Sequence, residues 1–237
     1  MSPAEMAAAA ADLEVASPEV VLRWAADRFA GRIGFATAFG PEGCVLLDVI
    51  GREKLAIDVF TLDTGLLFAE TVQLWREMEG RYGIRIRGVQ PTLTVDEQEA
   101  RQGPNLWQHA PDVCCDQRKV QPLRRELLLF DAWITAIRRD QTPQRADAAV
   151  VERDAKFGLV KVNPLAAWSS AQVWARIRER GIPTNPLHER GYASIGCAPC
   201  TTPITAGEDP RAGRWRTFAK TECGLHGHFT GRSPKES

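Results

Sequence analysis

Arg32-Ile33-Gly34-Phe35-Ala36-Thr37-Ala38-Phe39-Gly40-Pro41-Glu42-Gly43-Cys44-Val45-Leu46-Leu47 carries the reading of the fold. The short apolar run over 32–38 predicts a buried strand. The glycines and proline of 39–43 predict a sharp loop, and 44–50 continue as an apolar helix. The unit recurs downstream. Residues 56–62 predict a second strand running into Asp63-Thr64-Gly65 and a helix over 68–82, and 84–89 and 132–137 predict a third and a fourth strand. Upstream, Ser17-Pro18-Glu19 supplies an N-cap, a proline at the first helical position and an acid in the first turn, ahead of the stripe Val20, Val21, Trp24 and Ala25. Strand and helix alternating in this way predict an α/β fold, a parallel sheet with helices on both faces. Such sheets bind ligands at the carboxyl ends of their strands. The loops 39–43, 63–65 and 138–145 all leave predicted strands at that end.

Past this unit, 150–152 and 159–162 read as short strands, and Ser169-Ser170-Ala171-Gln172 as a capping box opening a helix that closes near Gly181. After Ile182 the pattern dissolves into Pro, Gly, Thr and Arg, an irregular C-terminal tail with no core of its own. The 237 residues are 44% hydrophobic and 25% charged, enough apolar surface for a soluble globular core. Apolar runs such as Leu127-Leu128-Leu129-Phe130 are far short of membrane length. Thirty basic and thirty acidic residues cancel, which argues against a general nucleic-acid or membrane coat. The alanine run at 7–11 lacks a basic leader, being flanked by Glu5 and Asp12, and reads as a frayed lead-in to a helix rather than an export signal. A reducing, cytoplasmic setting is therefore expected.

In that setting six cysteines are more naturally ligands or catalysts than disulfides. Cys114-Cys115 and Cys197-Ala198-Pro199-Cys200 form two close-spaced pairs that together can build a four-thiolate cage. Adjacent cysteines on a helix diverge by about 100°, so one small ion fits them awkwardly and a larger cluster more easily. Spacing alone leaves zinc and iron open. Cys44, beside Val45-Leu46-Leu47, reads as a buried apolar residue. Cys223 sits in Lys220-Thr221-Glu222-Cys223-Gly224-Leu225-His226, where Lys220 and the His226 imidazole would favour a thiolate. Locally it reads equally as a nucleophile or as an unremarkable tail cysteine.

Three arginines fall within 138–145, Arg211, Arg214 and Arg216 form a second cluster, and Arg118-Lys119 follows the tandem cysteines. In a chain of zero net charge such compact patches point to a small, highly anionic ligand, since guanidinium groups match phosphate and sulfate oxygens.

Together and in order, the 37–43 loop, Leu62-Asp63-Thr64-Gly65, Cys114-Cys115, Trp133-Ile134-Thr135 with the arginine loop, Cys197-x-x-Cys200 and Glu222-Cys223-Gly224-Leu225-His226 resemble the assimilatory adenylylsulfate reductases, within the adenylylsulfate and phosphoadenylylsulfate reductase family. The resemblance spans about residue 32 to residue 228. Two departures are Ala136, where the family commonly has glycine, and a Phe-Gly-Pro-Glu-Gly phosphate-side loop; neither removes a reacting group.

The resemblance implies a Rossmann-like adenine nucleotide alpha-hydrolase-type sheet. It divides the chain into an N-terminal helical lead-in (1–30), a nucleotide-binding reductase domain with an iron–sulfur site (31–200) and a mobile C-terminal segment carrying the catalytic cysteine (201–237). It implies a 4Fe–4S cluster on Cys114, Cys115, Cys197 and Cys200 that does not cycle redox in turnover, and Cys223 as nucleophile on the sulfate sulfur of adenylylsulfate. Lys119, Arg211 and Arg214 would neutralise the charge of thiolate and sulfate. Arg138, Arg139, Gln141 and Arg145 would hold the phosphosulfate or ribose side, and Asp63, Thr64 and Gly65 would lie against the nucleotide. Reduced thioredoxin, or a glutaredoxin-like dithiol protein, would release sulfite from the Cys223 S-sulfocysteine. The chain ends fourteen residues after Cys223, so that reductant is expected to be a separate protein. A homo-oligomer is compatible with the sequence; nucleic-acid and membrane partners are not expected. His109, His188 and His228 carry no assignment. Phosphoadenylylsulfate as substrate by the same mechanism is the nearest alternative, and it would need a further basic contact for its 3′-phosphate. From other classes, a nucleotide-activating RNA sulfur transferase would want a Ser-Gly-Gly-rich loop, and a zinc-stabilised binding module would tolerate loss of Cys223.

Overall fold

The computed structural model describes residues 1–218, 220 and 222–225. Its centre is a six-stranded sheet in the order β3-β2-β1-β4-β6-β5. The strands are β1 (Ile33–Thr37), β2 (Asp58–Leu62), β3 (Ile86–Val89), β4 (Ala132–Ile134), β5 (Val151–Arg153) and β6 (Val160–Val162). β3, β2, β1, β4 and β6 run parallel, while β5 pairs antiparallel with β6, Val151 facing Val162. The expectation of a parallel sheet therefore holds for five strands, and the far edge is antiparallel because a short turn, not a crossover helix, joins β5 to β6.

Nine helices are seen among the described residues: α1 (Pro3–Leu13), α2 (Pro18–Arg28), α3 (Pro41–Glu53), α4 (Ala69–Tyr82), α5 (Val95–Gln102), α6 (Leu106–His109), α7 (Pro111–Cys115), α8 (Gln121–Leu127) and α9 (Ser170–Arg180). A π-helical turn, Asp116–Val120, joins α7 to α8 without a break. The alanine run is the body of α1 rather than a frayed lead-in. Ser2 and Glu5 close a full capping box, and Met6 and Leu13 are buried in the main core. Beyond α9 the chain continues in 3₁₀ turns at Pro186–Arg190 and Ala198–Cys200. Isolated bridges pin this region to the sheet side at Leu67–Cys197 and to itself at Thr201–Arg214.

The helix that follows β1 is buried along nearly its whole length, from Gly43 to Gly51. Asp48 is the polar exception, 1% exposed. Its Oδ1 accepts from Arg52 Nε at 2.6 Å and from the Tyr82 hydroxyl at 3.0 Å, and its Oδ2 from Arg180 Nη1 at 3.1 Å. One carboxylate thus ties α3 to α4 and α9. Burial, helped by Asp48, pushes the Tyr82 phenol up to about 12. Gly51 allows the approach, since a Cβ there would lie 2.4 Å from Tyr82 Cβ. Asp48→Ala should lower unfolding free energy by about 1–3 kcal/mol, because it removes the buried carboxylate that α4 and α9 both bond and leaves a half-buried hydroxyl without its partner. Urea unfolding followed by circular dichroism checks this, with Asp48→Asn expected to lose less.

Candidate active site

Strand order reverses between β1 and β4, since β2 follows β1 on one side and β4 flanks it on the other. In open α/β sheets such a switch point leaves a crevice at the carboxyl ends of the strands. A cavity of about 150 Å³ lies there. Its walls include Thr37 and Phe39 after β1, Thr64 after β2, Trp133 of β4, and Lys119, Cys197, Arg214, Cys223 and Leu225 from later in the chain. A hollow of about 190 Å³, lined by Arg145, Lys156 and Lys161 among others, shares Leu225 as a wall.

The loop after β1 is shaped by its backbone. Phe39 takes a left-handed conformation (φ 57°) although it is not glycine, and its ring, 2% exposed, stacks on Trp75 with centroids 6.1 Å apart. Backbone in this region costs energy and is kept where packing fixes it, often beside a site. Gly40 is the N-cap of α3 and offers no side-chain capping bond, so the N–H groups of the first turn after Pro41 stay available to a ligand or water. Gly43 is required within this turn, because a Cβ would come 2.8 Å from Thr37 Oγ1.

The loop after β2 is held from below. Asp63 Oδ1 accepts from the Gly65 N–H at 3.1 Å, with Gly65 at φ 69°. Arg118, 2% exposed, donates to the Thr64 carbonyl at 2.6 Å and to Gln98 Oε1 at 3.0 Å. Arg118 is therefore occupied in bracing the loop, not turned toward an anion. Thr64 is fully buried with its Oγ1 3.4 Å from Cys197 Sγ.

The π turn separates neighbours that the sequence leaves side by side. Its extra residue per turn rotates the chain after the tandem cysteines, so that Arg118 reaches the β2 loop while Lys119 reaches the thiols. Lys119 is 9% exposed. Burial works against its charge, yet Cys197 and Cys223, with Cys115, hold its pKa above the ordinary lysine range. The same contact appears from the other side: burial opposes ionisation of Cys197, but Lys119, Thr64 and Arg214 bring its thiol below the usual value.

The four paired cysteines converge. Cys197 interacts electrostatically with Cys114 and Cys115, and Cys200 with all three others. Burial, with the neighbouring thiols, pushes Cys114 up to about 11 and Cys200 up to about 12. Among the described residues no three His, Cys, Asp or Glu side chains close on a point as a single metal ion demands. Four soft thiols near one another are donors that zinc or an iron–sulfur cluster takes.

Cys223 is half-buried, and Lys119, Arg145, Lys156 and Arg214 all interact electrostatically with it. Arg214, 9% exposed, lies 4.4 Å over the Trp215 ring, and its Nε has no hydrogen-bond partner among the described residues. The Arg145 Nε is orphaned in the same way. Two buried guanidinium donors in this position can each bond an anionic oxygen. Burial depresses both guanidinium pKa values, with Glu222 opposing it at Arg145 and Cys223 at Arg214. Close by, Arg145 Nη2 and Arg211 Nη2 both donate to the Glu222 carboxylate, at 3.0 and 3.2 Å.

Not every sequence candidate comes to the cavity. Arg138 is spent on Glu42, at 2.9 Å, and on Asp140. Gln141 Oε1 accepts from the Arg138 N–H at 3.0 Å and from Arg145, closing the arginine loop on itself. Arg139 turns the other way, donating to Glu14 after α1 at 2.8 Å and to the Ala148 carbonyl at 2.8 Å. Arg216 pairs with Glu208 at 3.0 Å. His188 faces the Tyr192 carbonyl, outside the cavity. The expected help of His226 to Cys223, like His228, lies outside the described residues. Cys44 is fully buried with its thiol donating to the Phe39 carbonyl at 3.6 Å, and burial raises its pKa. Two residues escaped sequence reasoning. Lys156 donates to the Gly224 carbonyl from a turn built on Asp154, and no local pattern marks it. Glu222 stands in the quoted Glu-Cys-Gly-Leu-His segment, but its role appears only once Arg145 and Arg211 are seen beside it.

Residues 32–203 match the model of the phosphoadenosine phosphosulfate reductase domain. A relative from Gloeobacter violaceus named phosphoadenosine 5′-phosphosulfate reductase is 46% identical over 89% of this chain and 88% of its own length. One from Geobacillus kaustophilus named adenosine 5′-phosphosulfate reductase is 45% identical over 87% of this chain and 88% of its own. The crystal structure of the phosphoadenylyl-sulfate reductase of Candida auris superposes with a TM-score of 0.76 at 32% identity, covering 85% of this chain and 98% of that one. With the family model covering all six strands and most of the residues that line the switch-point cavity, the chain belongs to the phosphoadenosine phosphosulfate reductase family.

Proposed function

We propose that the chain is an assimilatory adenosine 5′-phosphosulfate reductase, an oxidoreductase acting on a sulfur group that converts adenylylsulfate to sulfite and AMP. The observation that carries this reading is Cys223 at the switch-point cavity with Lys119, Arg145, Lys156 and Arg214 around it. Relatives with the adenosine 5′-phosphosulfate reductase name support the unphosphorylated nucleotide as substrate. The Gloeobacter violaceus relative carries the other name, so phosphoadenylylsulfate stays the second reading.

The chemistry follows from charge and bond order. The Cys223 thiolate attacks the sulfur of the sulfate group, the S–O bond to the phosphate breaks, and AMP leaves with its electron pair. Cys223 then carries an S-sulfonate. A thiol of a separate dithiol protein, of thioredoxin or glutaredoxin type, attacks the Cys223 sulfur and sulfite departs with the bonding pair. The second thiol resolves the mixed disulfide, so the two electrons come from the dithiol. Thiolate and sulfate repel each other, and the two buried arginines and Lys119 lower that barrier by holding fixed positive charge where negative charge accumulates.

The nucleotide would lie along the β1 and β2 loops, against Asp63, Thr64 and Gly65, with Arg145 and Arg214 at the anionic end and Arg211 behind them on Glu222. Arg138 and Gln141 would shape that end through Arg145, and Arg139 would anchor the loop to the N-terminal helices. Cys114, Cys115, Cys197 and Cys200 would hold a 4Fe–4S cluster, which supplies structural rigidity and local field beside Lys119 rather than electrons. In this division 31–200 is the nucleotide-binding reductase domain behind the helical lead-in 1–30, and the stretch that begins at 201 is the one that carries Cys223. Among the described residues no helix is long and apolar enough to cross a membrane.

Anaerobic protein mixed with adenylylsulfate and no dithiol protein should gain one sulfonate on the Cys223 peptide, read by intact mass and peptide mapping, and reduced thioredoxin should remove it. Phosphoadenylylsulfate run alongside reports the preference, and no adduct from either nucleotide in iron-loaded protein overturns the reading. Lys119→Ala should slow sulfonation by about 10²–10³-fold with iron content unchanged, the scale seen when one charge-stabilising donor is lost. Gly196→Ala places a methyl 2.2 Å from Arg214 Nη2. It should slow the same step by about tenfold while the thermal midpoint stays near that of the parent, a result expected if Arg214 must be exactly placed rather than merely present.

A further inference from the structure

Glu222 is an oddity in a site built for anions. Its carboxylate, with a side chain 14% exposed, lies between Arg145 and Arg211, whose side chains are 10% and 21% exposed. A carboxylate there repels an anionic substrate and occupies two of the cations that would attract it. The pair is also too shielded to be one of the surface ion pairs that contribute almost nothing. Two further contacts hold the same few residues. Lys156 donates to the Gly224 carbonyl, and Leu225 packs on the apolar cluster that contains Phe60, Leu123 and Trp133. Gly224 adopts φ 82°, a turn between those two contacts. Cys223 sits between the first anchor and the other two.

We propose that Glu222 is a positioning residue for the reaction. Its carboxylate docks segment 222–225 between Arg145 and Arg211, and this docking sets the Cys223 thiol against Lys119 and Arg214. Arg211 then acts on the substrate through Glu222 rather than by direct contact. The proposal rests on Cys223 being the nucleophile, and it adds a residue and a partner assignment that this role alone does not require.

Three measurements on the full, cluster-loaded chain separate the possibilities. The first is the rate of Cys223 sulfonation at saturating adenylylsulfate. The second is adenylylsulfate affinity in a Cys223→Ser background, and the third is amide hydrogen exchange of the peptide spanning 220–225. Glu222→Gln should slow sulfonation by about tenfold or more, the equivalent of one charge-assisted contact, leave affinity unchanged or tighter, and speed exchange of the tail peptide. Glu222→Asp should retain more of the rate than Glu222→Gln. Because the two groups act as a unit, Glu222→Gln combined with Arg211→Gln should be no slower than either alone. Sulfonation at the parental rate in Glu222→Gln overturns the proposal. So do additive losses accompanied by weaker nucleotide binding in Arg211→Gln, which would make Arg211 a direct ligand of the substrate. If the unsubstituted protein forms no adduct at all, the reductase reading fails instead, and the exchange measurement alone then decides whether Glu222 docks the segment.

Discussion

Burying a lysine ammonium is among the costlier things a fold can do, and it is tolerated only where other groups answer the charge. Lys119 is that ammonium here, sunk between the β2 loop and the cysteine-bearing turns, with Cys197, Cys223 and Cys115 holding its proton on. Much of the site follows from satisfying it. Thiols must come within reach from three separate stretches of chain, which fixes the path of the irregular region after α9. Cys197 is drawn in by a bridge to Leu67 and by Thr64, so the β2 loop and the late cysteine pair form one unit. Arg118 then locks that unit from beneath.

Around this core the cations divide into two kinds. Those whose carboxylate partners lie away from the cavity are structural: Arg138 with Glu42, Arg139 with Glu14, Arg216 with Glu208. Those that keep a buried donor free lie at the site: Arg214 lines the cavity and Arg145 the adjoining hollow that shares Leu225 with it. The distinction is chemical, since a guanidinium already saturated by carboxylate has little left for a phosphosulfate, whereas an orphaned Nε has paid its desolvation without return.

The sheet was readable because its parallel strands are short apolar runs punctuated by Gly, Pro and Asp-Thr-Gly, and the strand-end loops gave the location of the crevice. The closeness of the two cysteine pairs was signalled by their spacing, whereas Cys223 read evenly from its local context and took its role only from the family resemblance. What failed was anything that depends on partners distant in sequence. The antiparallel sense of β5 is set by a turn too short for a helix, and the same apolar run would serve either direction. Three arginines in 138–145 looked alike, but Glu14, more than a hundred residues away, claims one of them. The alanine run looked frayed because its burial rests on only Met6 and Leu13. Lys156 and Glu222 needed the tail to be laid across the sheet before they meant anything.

The π turn at Asp116–Val120 makes the site a matter of helical phase. Each residue in a helix advances the side chains by about 100°, so the one additional residue in this turn is what lets Cys114-Cys115 and Lys119 face a common centre while α8 still lays Leu123 and Leu127 on the sheet. Deleting Gln117 from the turn would keep every functional side chain in the sequence, yet it would force a choice: either α8 stays seated and Lys119 swings away from the thiols, or Lys119 stays and α8 lifts its apolar face off the core. The chain can therefore drift in residue identity around this turn more freely than in length.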